Sequence, residues 1–394
     1  MRELLDSIIL LGGLQGVGLA AVLARRREDR VANRLLAALV GALSLMLLLG
    51  VPEQRWGLTS HPHLLALTAP LPFLFGPLLY LYVAALTRPA ARFEARWLFH
   101  GLPAAANLLF LLQGFYLKPG PEKLALAHAY LAGHGPPALR FFEVLQTVQA
   151  VGYLLWSWLA LRRYDRRIEG YFSDVARIDL RWLMGMVLAH AAVWSIVIAG
   201  RVLDLVGVAP ASLDALSHAV QVGTALVVFA TGYVSLWQPE LFEKAQAART
   251  AEPPPRPRPL PKYQRNRVDD REAAELASKL TAHMAERKPY RDGALTLQAL
   301  ADAVGATPHL LSQVLNVHLR KSFYFFVNSY RAEELMAALD DPARRDRGVL
   351  ELALEAGFNS KSTLNSFFKR YTGVTPTEFR LSRSAAKTPG RLAG

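Results

Sequence analysis

Seven long apolar stretches constrain this chain more than any other feature. They run roughly over 7–24, 35–51, 64–86, 97–117, 141–161, 182–200 and 213–236. Each is near the ~20 residues that cross ~30 Å of hydrocarbon as a helix. In hydrocarbon, backbone N–H and C=O groups are satisfied only inside a helix or a closed barrel. The fold class expected is therefore all-α: a polytopic bundle of about seven spans over residues 1–238. The third stretch holds Pro70, Pro72 and Pro77, which kinked membrane helices tolerate when neighbours satisfy the freed carbonyls. Hydrophobic residues make up 52% of the whole chain, and the last third is not unusually apolar, so the excess lies in front.

Loop charge gives an expected orientation, because cytoplasmic loops collect Lys and Arg. Arg25, Arg26, Arg27, Arg30 and Arg34 follow the first stretch, Arg88, Arg92 and Arg96 the third, and Arg162, Arg163, Arg166, Arg167, Arg177 and Arg181 the fifth. The alternate loops hold only Arg55, then Lys118, Lys123 and Arg140, then Arg201. This places the N-terminus outside and the residues after the seventh stretch in the cytoplasm. The first stretch reads as a span rather than a cleaved signal, because its positive charge follows the apolar run.

Polar groups within spans are costly and become candidates for function. Glu143, Gln146 and Gln149 step three apart in the fifth stretch, and His218 and Gln221 do the same in the seventh. Gln113 ends the fourth, His190 lies in the sixth, and Arg201 and Asp204 sit at its end. Together they outline a polar site for a small-molecule or membrane signal; taken singly, each reads rather as a group that hydrogen-bonds between helices or borders water. The Gly12-x-x-x-Gly16 spacing permits close helix approach, either in a homodimer or within one bundle.

Residues 239–267 read as a linker. Pro253-Pro254-Pro255-Arg256-Pro257-Arg258-Pro259 favours extended polyproline II and a semi-rigid spacer. A helix over 270–287 leads into a C-terminal domain, 268–394.

That domain repeats one pattern. Residues 297–304 form a short amphipathic helix, Gly305 suits a tight turn needing positive φ, and Thr307-Pro308 opens a second helix as cap and first residue. Val349 begins the repeat; Ala353 and Gly357 stand in the relation of Ala301 and Gly305, and Ser360 caps a helix running to Tyr371. The two units occupy 295–319 and 349–371. Between them 323–339 reads as a continuous helix of about 26 Å. That length suits holding two recognition helices roughly 34 Å apart, one DNA turn, on one face of a duplex. Thr375-Pro376-Thr377-Glu378 reads as a capping box opening a last helix.

These residues resemble the DNA-binding domain of the AraC/XylS family of transcription regulators, in a membrane-anchored form. The resemblance covers about the last third of the chain. It is carried by the two units, by Glu355-Ala356-Gly357-Phe358-Asn359-Ser360, by Phe367-Phe368-Lys369-Arg370-Tyr371 and by Gly373-Val374-Thr375-Pro376-Thr377-Glu378-Phe379-Arg380. Gln313 departs from it, standing where the family often has arginine. The resemblance implies double-stranded promoter DNA as a partner. By position, His309, Ser312, Gln313 and Asn316 on the first recognition helix, and Lys361, Ser362, Thr363, Asn365 and Ser366 on the second, face the major groove. Amides suit adenine, and Lys361 suits guanine or phosphate. Arg320, Lys321, Lys369 and Arg370 fall at phosphates, which position without specifying.

The net charge of +13 fits both DNA binding and cytoplasmic membrane loops. No cysteine is present, so disulfides and thiolate metal sites are excluded. Phosphate-loop, H-E-x-x-H and G-x-S-x-G patterns are missing, so the chain reads as no enzyme, with no cofactor and no metal site. The expected function is a membrane-integrated, sequence-specific transcription regulator with the lipid bilayer as a second partner. The alternatives are a receptor or transporter-like bundle whose C-terminal domain binds a protein, and a DNA tether without sensing.

Overall fold

A computed structural model describes residues 2–27, 30–88, 93–132, 134–175, 180–207, 210–237 and 270–386. The described residues are helical, apart from turns and one isolated antiparallel bridge between Phe172 and Thr296. They divide into two units: Met1–Arg162 with Leu180–Thr250, and Arg163–Asp179 with Ala251–Gly394. The proline-rich linker expected over 239–267 lies outside the described residues.

The first unit contains α1 (Arg2–Arg25), α2 (Arg30–Trp56), α3 (Pro72–Thr87), α4 (Leu102–Leu111), α5 (Gly120–Leu131), the greater part of α6 (Pro137–Tyr171), α7 (Arg181–Leu205) and α8 (Pro210–Trp237). α2 packs against α1, α3 and α8, and α8 against α1 and α7. The Gly12-x-x-x-Gly16 spacing is used inside this unit. A Cβ on Gly16 would meet the Ser44 and Val228 side chains, and one on Gly12 would lie 3.1 Å from Ala225 Cβ. That face is filled by α2 and α8 and offers no free dimer surface.

Among the described residues, six helices are long and apolar enough to cross a membrane. The third expected stretch, 64–86, is the exception. Its helix starts only at Pro72 and has 16 residues, about 24 Å. Glu53 explains the shortening. Its carboxylate accepts from Ala66 N (2.7 Å), Thr68 N (3.3 Å) and Thr68 Oγ1 (2.7 Å), so these residues fold as a tied turn, with Ala66 at φ 64°. Pro72 then stands at the first helical position of α3, where its missing N–H costs no hydrogen bond. α5 was not anticipated, since 118–140 reads as a loop from charge alone.

The second unit holds α9 (Asp270–Arg287), α10 (Leu297–Val304), α11 (Pro308–Gln313), α12 (Phe323–Asp340), α13 (Val349–Glu355), α14 (Lys361–Thr372) and α15 (Pro376–Ala386). The expected caps form. Thr296, Thr307 and Ser360 side chains accept from Ala299 N, Leu310 N and Thr363 N. Thr375 and Glu378 close a reciprocal capping box. Gly305, at φ 71°, makes the left-handed turn between α10 and α11. Leu280, Met284, Leu300, Leu311, Val314, Leu315 and Val327 bury the apolar faces of α9–α12 together. Leu352, Leu364, Phe367 and Phe368 do the same for the second pair, each at most 2% exposed. The expected division of α11 and α14 into apolar and polar sides therefore holds for their core residues.

Gly357 ties the second helix pair to the turn after α9. Its φ is 96°, and a Cβ there would lie 2.3 Å from Tyr290 O and 2.8 Å from Arg291 Cα. That turn is fixed in turn to α12: Glu334 accepts from Tyr290 Oη (2.6 Å) and Arg291 Nε (2.8 Å). Burial pushes the Glu334 carboxyl up, but these hydrogen bonds outweigh it and hold the group below the usual carboxylate range. Gly357→Ala is expected to destabilise the second unit by at least about 2 kcal/mol, from backbone strain and overpacking combined. Hydrogen exchange of the full chain in lipid nanodiscs, read over 349–372, measures this; parental protection would refute the packing described.

Candidate nucleic-acid interface and a second polar site

α11 begins at the Thr307 cap and runs into a wider turn over Val314–His318, where Leu319 N donates to Val314 O across five residues. Its buried face is Leu311, Val314 and Leu315. Opposite, His309 and Asn316 are exposed and Ser312 and Gln313 half-buried. Asn316 Nδ2 donates to Ser312 O at 2.8 Å and to Ser312 Oγ at 3.2 Å, so in this state its amide serves its own helix. Arg320 is exposed in a left-handed turn at φ 52°, and Lys321 Nζ lies 6.0 Å from the Phe325 ring centre.

α14 carries the sharper polar face. Lys361, Ser362, Asn365, Ser366 and Lys369 are exposed on one side, while Leu364, Phe367 and Phe368 are buried on the other. Thr363 departs from its expected place at the groove. It is 2% exposed, and its hydroxyl is held by Ser360 Oγ (2.9 Å) and Asp174 Oδ1 (3.1 Å). It follows Ser360 by three residues, so it closes the capped first turn from the inner flank. Arg370 shares that flank. Its guanidinium stands 5.5–5.7 Å from the ring centres of Tyr324, Phe325 and Phe367 and 3.9 Å from Glu169, with half of its side chain exposed.

α12, 18 residues long and about 27 Å, connects the two pairs. At its centre Arg331 is 0% exposed. Nε donates to Tyr290 O (2.7 Å), Nη1 to Asn328 Oδ1 (3.1 Å) and Ser173 O (3.3 Å), and Nη2 to Asp292 O (2.8 Å) and Ser173 Oγ (3.0 Å). Burial pushes its pKa down to about 10, while Asp174 and Asp292 pull it upward; it stays charged at neutral pH. Sequence reading passed over this residue. The signal was an arginine four residues from both Val327 and Leu335, on the apolar stripe of a helix.

Residues 300–382 match a family model described as a helix-turn-helix domain. The C-terminal domain is a helix-turn-helix domain of the AraC type. The chain is 30% identical over 101 residues to the melibiose operon regulatory protein of Escherichia coli K12, covering 25% of this chain and 32% of that one. It is 34% identical over 89 residues to an uncharacterized transcriptional regulatory protein, YesN, of Bacillus subtilis 168 (22% of this chain, 24% of that one). With an uncharacterized HTH-type transcriptional regulator of Staphylococcus aureus COL it shares 32% over 91 residues (23% and 12%). The chain thus spans a third or less of the length of these curated relatives. No solved structure matches significantly.

The first unit has its own polar cluster. Arg201 donates to Glu143 O, Thr147 Oγ1 and Gln146 Oε1, and the Glu143 carboxylate accepts from Tyr130 Oη. A cavity of about 640 Å³ is lined by Glu53, Asn107, Tyr130, Glu143, Gln146 and Arg201 among apolar side chains. A smaller one of about 190 Å³ has His190, Gln146, Arg201 and Thr224 on its wall. Glu143, Gln146 and Arg201 meet directly, while His190 shares only the wall of the smaller cavity with Gln146 and Arg201. Gln149 instead donates to Phe73 O (3.2 Å), and Gln221 is buried at 6% exposure. Gln113 and Asp204 are exposed, and with Gln149, His218 and Gln221 they line neither cavity. Glu53 and Tyr130 went unread: Glu53 lies just beyond its apolar stretch, and Tyr130 lies in the unanticipated α5.

On α14, Asn365 lies near the middle of the exposed face and Lys369 toward its end. Asn365→Ala is expected to cost roughly 1–3 kcal/mol on the preferred duplex and to relax preference at one position. Lys369→Ala is expected to weaken all duplexes alike and to shallow the salt slope by about one unit. Titrations of each variant on matched and single-base-changed duplexes across salt distinguish them. An unchanged preference in Asn365→Ala with an altered one in Lys369→Ala would reverse the assigned docking of α14.

Proposed function

We propose that the chain is a membrane-integrated transcription regulator. In this reading residues 1–238 form the portion that spans the cytoplasmic membrane, with the N-terminus outside and 163–179 a cytoplasmic loop that belongs to the second unit. A linker, 239–267, and a cytoplasmic DNA-binding domain, 268–394, follow. The observation that carries it is the pairing, in one chain, of two helix-turn-helix units with six helices of membrane-crossing length and composition. Large apolar side chains such as Leu11, Leu14, Leu109, Val148, Leu155 and Leu188 are exposed on these helices. Such a surface suits lipid far better than water. α3 supplies the seventh crossing in this reading, its short length met by local bilayer thinning.

His309, Ser312, Gln313 and Asn316 read one half-site, and Lys361, Ser362, Asn365 and Ser366 the other, with Arg320, Lys321, Lys369 and Arg370 on phosphates. The signal is a small molecule or membrane component entering the larger cavity and engaging Arg201, Gln146 and Glu143. Apolar walls with a few convergent polar groups are the common form of a ligand site.

Cross-linking the intact chain to DNA in cells and sequencing what is bound tests this reading. The bound fragments are expected to share one motif, which requires the C-terminal domain to face the cytoplasm. Arg201→Ala is expected to leave the occupied sites in place while abolishing changes in transcription from them. Fragments without a common motif would reduce the chain to a tether or a protein-binding receptor.

A further inference from the structure

Residues 171–175, the last residue of α6 and the four that follow it toward α7, belong to the second unit. Their contacts there are specific. Tyr171 packs against the apolar core of α9–α12, and Phe172 bridges to Thr296, the cap of α10. Ser173 is 0% exposed; its N–H (3.4 Å) and hydroxyl (2.7 Å) both donate to Leu295 O. Its carbonyl accepts from Asn328 Nδ2 (2.8 Å) and from Arg331, and its hydroxyl oxygen accepts from Arg331 as well. Asp174 Oδ1 then takes the Thr363 hydroxyl at the start of α14, extending the Ser360–Thr363 cap.

One short segment thus reaches the first helix pair, the connecting helix and the second recognition helix. Its side chains approach α14 on the Thr363–Arg370 flank, leaving Ser362, Asn365, Ser366 and Lys369 exposed. It therefore supports the helix from beside and behind the polar face. Without it, buried Arg331 loses two of its acceptors, and an unsatisfied buried charge is strongly unfavourable. The segment is also covalently continuous with α6, which carries Gln146, and leads to α7, which carries Arg201. The only other covalent route from the apolar helices to the DNA-binding domain is 239–267, whose proline-rich composition suits a spacer.

Resting on the regulator reading above, we propose that residues 171–175 are a docking element in cis, through which the state of α6 and α7 sets the DNA affinity of the C-terminal domain. Docked, the segment holds α12 and α14 in the arrangement that reads both half-sites. Undocked, it frees the second recognition helix while the first pair keeps its own core.

The test uses the full chain in lipid nanodiscs, with DNA affinity, footprint and hydrogen exchange measured together. Ser173→Ala/Asp174→Ala is expected to weaken binding of the preferred duplex roughly 5- to 100-fold, the range of an ordinary coupling between sites. The footprint is expected to retract from the half-site of the second unit alone. Amides at 361–366 are expected to exchange faster while those of α9–α11 keep their protection. Ser173→Thr, which retains the hydroxyl, is expected to behave as the parent. Unchanged or tighter binding, loss of both half-sites together, or faster exchange throughout 270–386 would each overturn the proposal, the last by making the segment mere core packing. If the parent chain binds no DNA, the regulator reading fails, and local exchange at 361–366 alone decides whether the segment docks as described.

Discussion

A guanidinium taken fully out of water must have its charge answered by acceptors that the fold itself provides. Arg331 meets this requirement with oxygens from the turn after α9, from α12 and from Ser173. Those acceptors are far apart in sequence, so the arginine forms its bonds only when the three segments stand together. Around it the Tyr290–Glu334–Arg291 cluster fixes the same turn to α12, and Gly357 lets the second helix pair approach that turn. Arg331 thus anchors α12 to the turn after α9 and to Ser173, and the second pair joins them through Gly357 and through Phe367 against Tyr324 and Phe325.

The division of labour follows. Apolar burial shapes each pair and decides which residues of α11 and α14 point inward. The buried polar network fixes how the pairs stand to one another. Whatever remains outward and polar is available to a duplex, and on α14 that is a continuous face from Lys361 to Lys369. Thr363 falls off this face because it sits on the flank that Asp174 occupies.

Much of this was legible in the sequence. Gly305 and Gly357, the capping threonines and serine, and the apolar spacing of Leu311, Leu364, Phe367 and Phe368 locate both helix pairs to within a residue or two, because each is a local requirement of turns, caps and helical period. Arg331 and Ser173 were illegible for the opposite reason. Their partnership joins positions 158 residues apart, and no local pattern marks a serine between two apolar helices as an acceptor for a distant arginine. The tied turn at 66–68 was hidden in the same way: Glu53 reads as the polar end of one stretch, while its carboxylate reshapes the next. Of the polar residues in the first unit, those at helical spacing on α6 were readable as a group. Which of them meet Arg201 depended on how α6 and α7 pack.

The most direct measurement of whether α12 holds two recognition helices on one face of DNA is hydroxyl-radical footprinting of the full chain on its preferred duplex. Two protected patches are expected on the same face, about 10 base pairs apart. A single patch, or two patches half a turn apart on opposite faces, would contradict the arrangement that Arg331 and α12 impose.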